Sequence, residues 1–274
     1  MSAIAKLPTT ATPPPALPSG TFVLYPNGNW TDQNYLSVTT ATYAPGVRHS
    51  IANRPVNDAA SWVAFNLPLG QVVTLTEHVP APAPGISVGE LSTFGRCIDL
   101  VGTGQTESVD LSRVNMNDCV SAFFWRNVDL SQGALELYDD ANFGGNRNVI
   151  FLSEWPANTV ISLVNWWLND RVTSLRWSTL PESKVVVLGE HPDNSGRRFA
   201  AQAGSEGNQI ADMGSHQFND AISSFQWQVF HRPTEPAVSP SAITGISPED
   251  FARAMGNLGN LPRPPVGGFF RWSS

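Results

Sequence analysis

The stretch Asn169-Asp170-Arg171-Val172-Thr173-Ser174-Leu175-Arg176-Trp177 opens on two oxygen-bearing side chains, adds a hydroxyl pair and runs straight into an alternating strand. The chain repeats it. Asn57-Asp58-Ala59-Ala60-Ser61-Trp62 leads into Val63-Ala64-Phe65, and Asn117-Asp118-Cys119-Val120-Ser121-Ala122 into Phe123-Phe124-Trp125. Asn219-Asp220-Ala221-Ile222-Ser223-Ser224 leads into Phe225-Gln226-Trp227. An apolar residue precedes each Asn (Val56, Met116, Leu168, Phe218), and a large aromatic stands eight places after it (Phe65, Trp125, Trp177, Trp227). A single Asn-Asp pair is turn chemistry. Four in one frame, each with a hydroxyl four residues after the Asn, are a repeat, and a repeat decides the fold.

Each unit has an earlier half. Leu135-Glu136-Leu137-Tyr138-Asp139 alternates as a strand does, and the turn-rich Asp140-Ala141-Asn142-Phe143-Gly144-Gly145 follows it. Val185-Val186-Val187-Leu188-Gly189-Glu190-His191 and Val72-Val73-Thr74-Leu75-Thr76-Glu77-His78 hold the same place in the fourth and second units. Phe22-Val23-Leu24-Tyr25, then Pro26-Asn27-Gly28-Asn29-Trp30, hold it in the first. Strand, folded loop, middle strands, Asn-Asp corner and last strand over roughly 50 residues make a four-stranded Greek key.

Tyr138, Phe143 and Gly145, followed by Asn169 to Ser174, resemble a βγ-crystallin Greek-key unit: an aromatic, a hairpin closed by aromatic-x-Gly, and a calcium-binding stretch of two Asn/Asp, two free positions, Ser/Thr and Ser. The fourth unit keeps the calcium stretch and Gly196, with Gly189 and Asn194 where aromatics are usual. In the first unit Asp32 replaces the hairpin glycine; in the second a Pro-rich insertion around Pro80 to Pro84 removes it. The resemblance implies an all-β protein of two Greek-key β-sandwich domains, each made of two paired units, with tails at both ends. The expected divisions are a Pro-rich arm (1–19), a divergent first domain (20–129), a second domain (133–230) and a Pro-rich tail with a short helix (231–274).

Composition fits. Only 14% of residues are charged, 22 Gly and 22 Pro suit tight turns, and nine Trp supply core anchors. A net charge of −7 without a Lys/Arg run excludes a nucleic-acid partner, and no apolar run reaches the roughly 18 residues of a membrane span. The Ala-Thr-Pro start holds no signal-peptide core, so a cytoplasmic protein, or one released without a cleavable signal, is expected. This arm reads as disordered or as extended polyproline. Ser247-Pro248-Glu249-Asp250 reads as the capped start of a helix ending near Leu258, which docks on a domain or reaches a protein partner. Cys97 and Cys119 read as two buried thiols, with a disulfide the alternative for an exported chain.

Calcium takes six to eight oxygens at about 2.3–2.6 Å. The corners offer carboxylates, hydroxyls and main-chain carbonyls. The resemblance implies sites shared between paired units: Asp and the next carbonyl from one, Ser/Thr from the other, and a carbonyl from the acidic hairpin position. In the second domain the ligand set is Asp139, Asn169, Asp170, Arg171, Thr173, Glu190, Asn219, Asp220, Ala221 and Ser223. In the first it is Asp58, Ser61, Glu77, Asp118 and Ser121, with Pro26 weakening one site and Trp62 and Ala122 standing where the final Ser belongs. The second domain is therefore expected to bind more tightly. No His spacing, GxSxG or phosphate loop points to catalysis. The reading is a non-enzymatic calcium-binding structural or stress protein stabilised by the ion. The alternative is a recognition module, either a protease-inhibitor or toxin-like crystallin relative or a sugar binder using Trp166 and Trp167.

Overall fold

The computed structural model describes residues 4–79, 95–205 and 208–229. The Pro-rich insertion at 80–84 and the helix expected after Ser247 lie outside them. Among the described residues there is no α-helix. The first repeat contributes β1 (Thr21–Pro26), β2 (Leu36–Thr39), β3 (His49–Ser50) and β4 (Ala60–Asn66). The second contributes β5 (Gln71–Thr76), β6 (Cys97–Val101), β7 (Thr106–Asp110) and β8 (Ala122–Asn127). The third gives β9 (Ala134–Tyr138), β10 (Arg147–Phe151), β11 (Ile161–Ser162) and β12 (Ser174–Arg176). The fourth gives β13 (Lys184–Gly189), β14 (Arg198–Gln202), β15 (Gln209–Ile210) and β16 (Ser224–Val229).

Each repeat lends its third strand to its partner. The sheets run β2-β1-β4-β7 and β3-β8-β5-β6 in the first half, and β10-β9-β12-β15 and β11-β16-β13-β14 in the second. Neither repeat of a pair can complete a sheet alone, so two all-β sandwiches follow from four Greek keys. Alternation places the inward residues. Val73, Leu75, Ile98 and Leu100 join Phe22 and Phe65 in the first core, while Leu135, Leu137, Val186 and Leu188 surround Trp177 in the second. Of the four repeated aromatics, Phe65, Trp177 and Trp227 are buried. Trp125 is half-buried, because its indole N–H donates to the Tyr43 carbonyl (2.9 Å) at the sandwich edge.

The two sandwiches share one compact unit through sheet faces that alternation alone would assign to solvent. Every residue of β5, β6, β9 and β10 is buried. Between the sandwiches, Val72, Val101, Val128, Ala134, Val149 and Phe151 make an apolar patch. Beside it lies a charged network. Arg126 reaches Glu154 at 2.5 Å and Asp99 at 3.3 Å; Asp99 also accepts from Thr74 (2.6 Å) and from the Val149 N–H (3.1 Å). Arg147 pairs with Glu136 at 3.1 Å and donates to the Asp99 carbonyl at 2.9 Å. Buried charge is tolerated only when paired and hydrogen-bonded, as here.

The N-terminal arm is extended, and it is docked. Ala5 donates its N–H to Glu136 (3.1 Å) and accepts from Arg147 (2.6 Å). The Asp110 N–H, on edge strand β7, donates to the Pro8 carbonyl (3.1 Å), and Thr10 bonds Ser108 (2.7 Å). Ile4, Leu7 and Leu17 each pack against a separate apolar cluster, which gives a Pro-rich segment enough burial to settle.

Trp177→Ala is expected to cost about 3–5 kcal/mol in denaturant unfolding, as other buried-aromatic truncations do. Arg126→Met leaves Asp99 and Glu154 buried without their cation and should cost about 3–5 kcal/mol. Burial already pushes the Glu154 carboxyl upward, against the pull of Arg126. Without Arg126 it rises further, so the folded state holds a proton that the unfolded chain has released. The deficit of the variant therefore grows as pH rises from the ordinary carboxylate range through the folded value, and shrinks on acidification. Urea titrations across that range check both the size and the sign.

Candidate functional site: paired Asn-Asp corners

Each corner is pinned by apolar side chains on both sides of the Asn-Asp pair. Val56 and Ala60, Met116 and Val120, Leu168 and Val172, and Phe218 and Ile222 are all buried. Between these anchors the chain must turn sharply, and Asp58, Asp118, Asp170 and Asp220 take φ of +50°, +52°, +51° and +49°. Asp and Asn tolerate this left-handed region better than other side chains because the short polar group bonds locally. Here each Asn amide donates to the neighbouring carboxylate at 2.6–2.7 Å.

Partner corners are joined reciprocally. The Asp58 N–H donates to Val120 (3.2 Å) and the Asp118 N–H to Ala60 (3.0 Å); the Asp170 N–H donates to Ile222 (3.1 Å) and the Asp220 N–H to Val172 (3.2 Å). This brings the carboxylate of one repeat to the hydroxyl of the other. Ser121 donates to Asp58 at 2.8 Å, Ser223 to Asp170 at 2.8 Å, and Thr173 to Asp220 at 3.5 Å. No hydrogen bond joins Ser61 to Asp118 among the described residues, and the register of β1 against β4 slips there, between Tyr25 and Pro26. The hairpins close in from the side. The Ser121, Ser223 and Thr173 N–H groups donate to the Thr76, Gly189 and Tyr138 carbonyls, each at 2.9 Å, setting these hydroxyls beside Glu77, Glu190 and Asp139.

A shallow pocket of about 500 Å³ gathers Asp170, Glu190, Asn219, Asp220, Ala221 and Ser223. The sequence reading paired Asp170 with the carbonyl of its own successor, Arg171. Ala221, from the repeat that supplies Ser223, also lines this pocket, and the Arg171 guanidinium lies 4.2 Å over the Trp167 ring. The acidic hairpin side chains also have duties of their own. Arg197 bonds Glu190 through its side chain (2.7 Å) and its N–H (2.9 Å), holding that carboxyl down at about 2. Arg96 bonds Glu77 in the same two ways, at 2.8 and 2.9 Å, and its side-chain hydrogen bonds lower that carboxyl below its ordinary value. Asp139 has no arginine; burial pushes it up to about 6, against the Asn146 N–H that donates to it at 2.5 Å. Glu77 and Glu190, whose side chains are held by the forks, thus have their main-chain carbonyls left to offer.

The arginine forks were missed in the sequence. Gly95-Arg96 and Gly196-Arg197 stand alike after Glu77-His78 and Glu190-His191, so the second repeat keeps the hairpin glycine that seemed lost; the insertion only displaced it. At φ +64° and +75° both glycines sit where a Cβ would meet the Glu77 or Glu190 carboxylate at 2.6 or 2.8 Å. Trp166 is buried and Trp167 is capped by Arg171, so this pair is no open sugar platform. Both cysteines are free, Cys97 buried and Cys119 half-buried, where the sequence suggested two buried thiols. Among the described residues no three His, Cys, Asp or Glu side chains cluster as a metal group, and no helix is long and apolar enough to cross a membrane.

The donor chemistry fits a hard cation. Each well-formed corner presents one carboxylate, one hydroxyl and main-chain carbonyls, all oxygen. At the two corners whose Asp holds a 2.8 Å hydroxyl, the Asn57 and Asn169 side-chain oxygens are buried without a hydrogen-bond partner. Buried polar atoms are seldom left so.

Gly95→Ala and Gly196→Ala should each cost about 1–2 kcal/mol from the left-handed backbone alone, with further loss from the displaced fork. Thermal denaturation of the two variants, against Gly46→Ala at a positive-φ glycine whose Cβ would meet nothing, separates the clash from the backbone strain.

No protein-family model and no curated protein matches this chain. Among solved structures it is similar to one described under the evolution of the eye lens βγ-crystallin domain fold, at 24% identity over 36% of this chain and 89% of that one, TM-score 0.29. It is also similar to a βγ-crystallin from Ciona intestinalis (23% identity, 35% and 100%, TM-score 0.27). A third is a βγ-crystallin domain from Clostridium beijerinckii (22%, 35% and 97%, TM-score 0.26). The chain's own exchanged strands, hairpins and paired Asn-Asp corners build two Greek-key β-sandwiches, the architecture that the resemblance of the Tyr138-to-Ser174 stretch to a βγ-crystallin unit implied.

Proposed function

We propose that this chain is a non-enzymatic calcium-binding structural or stress protein whose fold the ion stabilises. The observation that carries the reading is the meeting of Asp170 and Ser223, from different repeats, at 2.8 Å beside the unpartnered Asn169 oxygen. Bound calcium supplies a double charge and a demand for six to eight oxygens. Asp170 and Ser223 would hold it with the carbonyls of Ala221 and Glu190. Asp58, Ser121 and the carbonyls of Cys119 and Glu77 form the equivalent set in the first sandwich. Asp220, Thr173, Arg171 and Asp139 form a looser set, and Asp118 with Ser61 the poorest. The second sandwich thus carries two of the three better sets, and this supports tighter binding there.

Ligands drawn from two repeats converge only in the folded state, so binding adds to stability. One site at free calcium 100 times its dissociation constant contributes about 2.7 kcal/mol. At about 2–4 °C per kcal/mol for a unit of this size, the melting temperature rises roughly 5–10 °C per site. Calorimetry in excess chelator and in millimolar calcium measures that rise. Asp170→Asn and Asp58→Asn, which keep a residue suited to the left-handed turn, should each remove a large part of it, and Asp118→Asn almost none. Equal melting temperatures with and without calcium would make the corners simple turn caps.

A further inference from the structure

A cavity of about 1400 Å³ lies between the N-terminal arm and the two sandwiches, away from the Asn-Asp corners. Its walls are mostly apolar: Ile4 and Leu7 from the arm, Val101 and Val128 from the first sandwich, Leu130 from the link between the two and Leu180 from the second. Leu69, 76% exposed, stands at its rim. Deep, mainly apolar cavities at domain junctions with a few placed polar groups are where small ligands bind. Two observations narrow the ligand.

The first is Arg147, which lines the cavity and is 2% exposed. Its Nη1 and Nη2 are used by Glu136, the Ala5 carbonyl and the Asp99 carbonyl, yet its Nε–H is buried without a partner. That atom has no surface open to a ligand, and the other N–H groups are already used, so the guanidinium offers the cavity no seat for an anion. The second is charge. Glu136 neutralises Arg147 and Glu107 neutralises Lys6 (2.9 Å), while Asp129 and Glu182 add two carboxylates to the lining. A ligand bringing its own negative charge meets net repulsion.

We propose that this cavity binds a neutral single-chain amphiphile, its chain along the apolar walls. The arm is one wall of the site, which explains why a Pro-rich segment carries Ile4 and Leu7 to it. The inference is independent of calcium.

The test uses the full chain in excess chelator. Nile red, a neutral apolar dye, should bind one saturable site with a blue-shifted emission. Monopalmitoylglycerol below its micellar concentration should displace the dye, and palmitate should do so at least tenfold less effectively. Leu130→Trp, at a half-buried wall position, and Leu69→Arg, at the exposed rim, should each weaken dye binding at least fivefold without altering circular dichroism. The proposal is overturned if dye binding is absent or non-saturable, if both wall and rim variants bind as the parent does, or if palmitate competes as well as the ester.

Discussion

Everything in this molecule leans on two short hydrogen-bonded crossings, one per sandwich, where the N–H of each corner Asp donates to the facing repeat. The Asp170 to Ile222 and Asp220 to Val172 bonds fix two turns face to face, and the Asp58 to Val120 and Asp118 to Ala60 bonds do the same in the other half. An Asp in the left-handed region is what lets its N–H point across rather than along its own strand. With that contact set, a carboxylate from one repeat and a hydroxyl from the other must meet. The exchanged third strands hold the same pairing from the far side. Fold and candidate site are thus one constraint seen twice: what closes the sandwich also collects the oxygens.

The repeat was legible because its parts are local. An apolar anchor, Asn-Asp, a hydroxyl and an aromatic are all read within nine residues, and each has a turn or burial reason to be there. What lay beyond reading was what depends on another repeat. Ala221 and Ser223 stand in the pocket with Asp170 because the crossing brings the facing repeat there. Gly95 escaped notice because an insertion separates it from Glu77, although the pair rebuilds the Glu190 and Gly196 arrangement. Trp125 fell short of full burial because a single hydrogen bond to Tyr43 draws its indole to the edge. Alternation in β9 placed Glu136 correctly on the outward face, and nothing in the sequence said that another sandwich covers it.

That covered face changes what the molecule is as a material. Two sandwiches joined by a loose linker would melt separately. Here Asp99, Arg126, Glu154, Arg147 and Glu136 are buried between them: Asp99–Arg126 and Arg147–Glu136 pair within their own halves, and Arg126–Glu154 pairs across the junction. Such a junction contributes specificity of assembly more surely than net stability, since desolvating five charges offsets much of their mutual attraction. The apolar patch of Val72, Val101, Val149 and Phe151 beside it supplies the surplus.

The arm gives the chain an unusual timetable. Ala5 leaves the ribosome well before its partners Glu136 and Arg147, which lie 131 and 142 residues downstream. At a synthesis rate of about 5–20 residues per second the arm waits on the order of 10 s before its seat exists. Its Ala, Thr and Pro content suits that wait, offering little to aggregate and few backbone donors to mispair. The arm, made before either sandwich, is therefore among the last parts of them to come to rest, and its arrival marks that both halves have been made and have met.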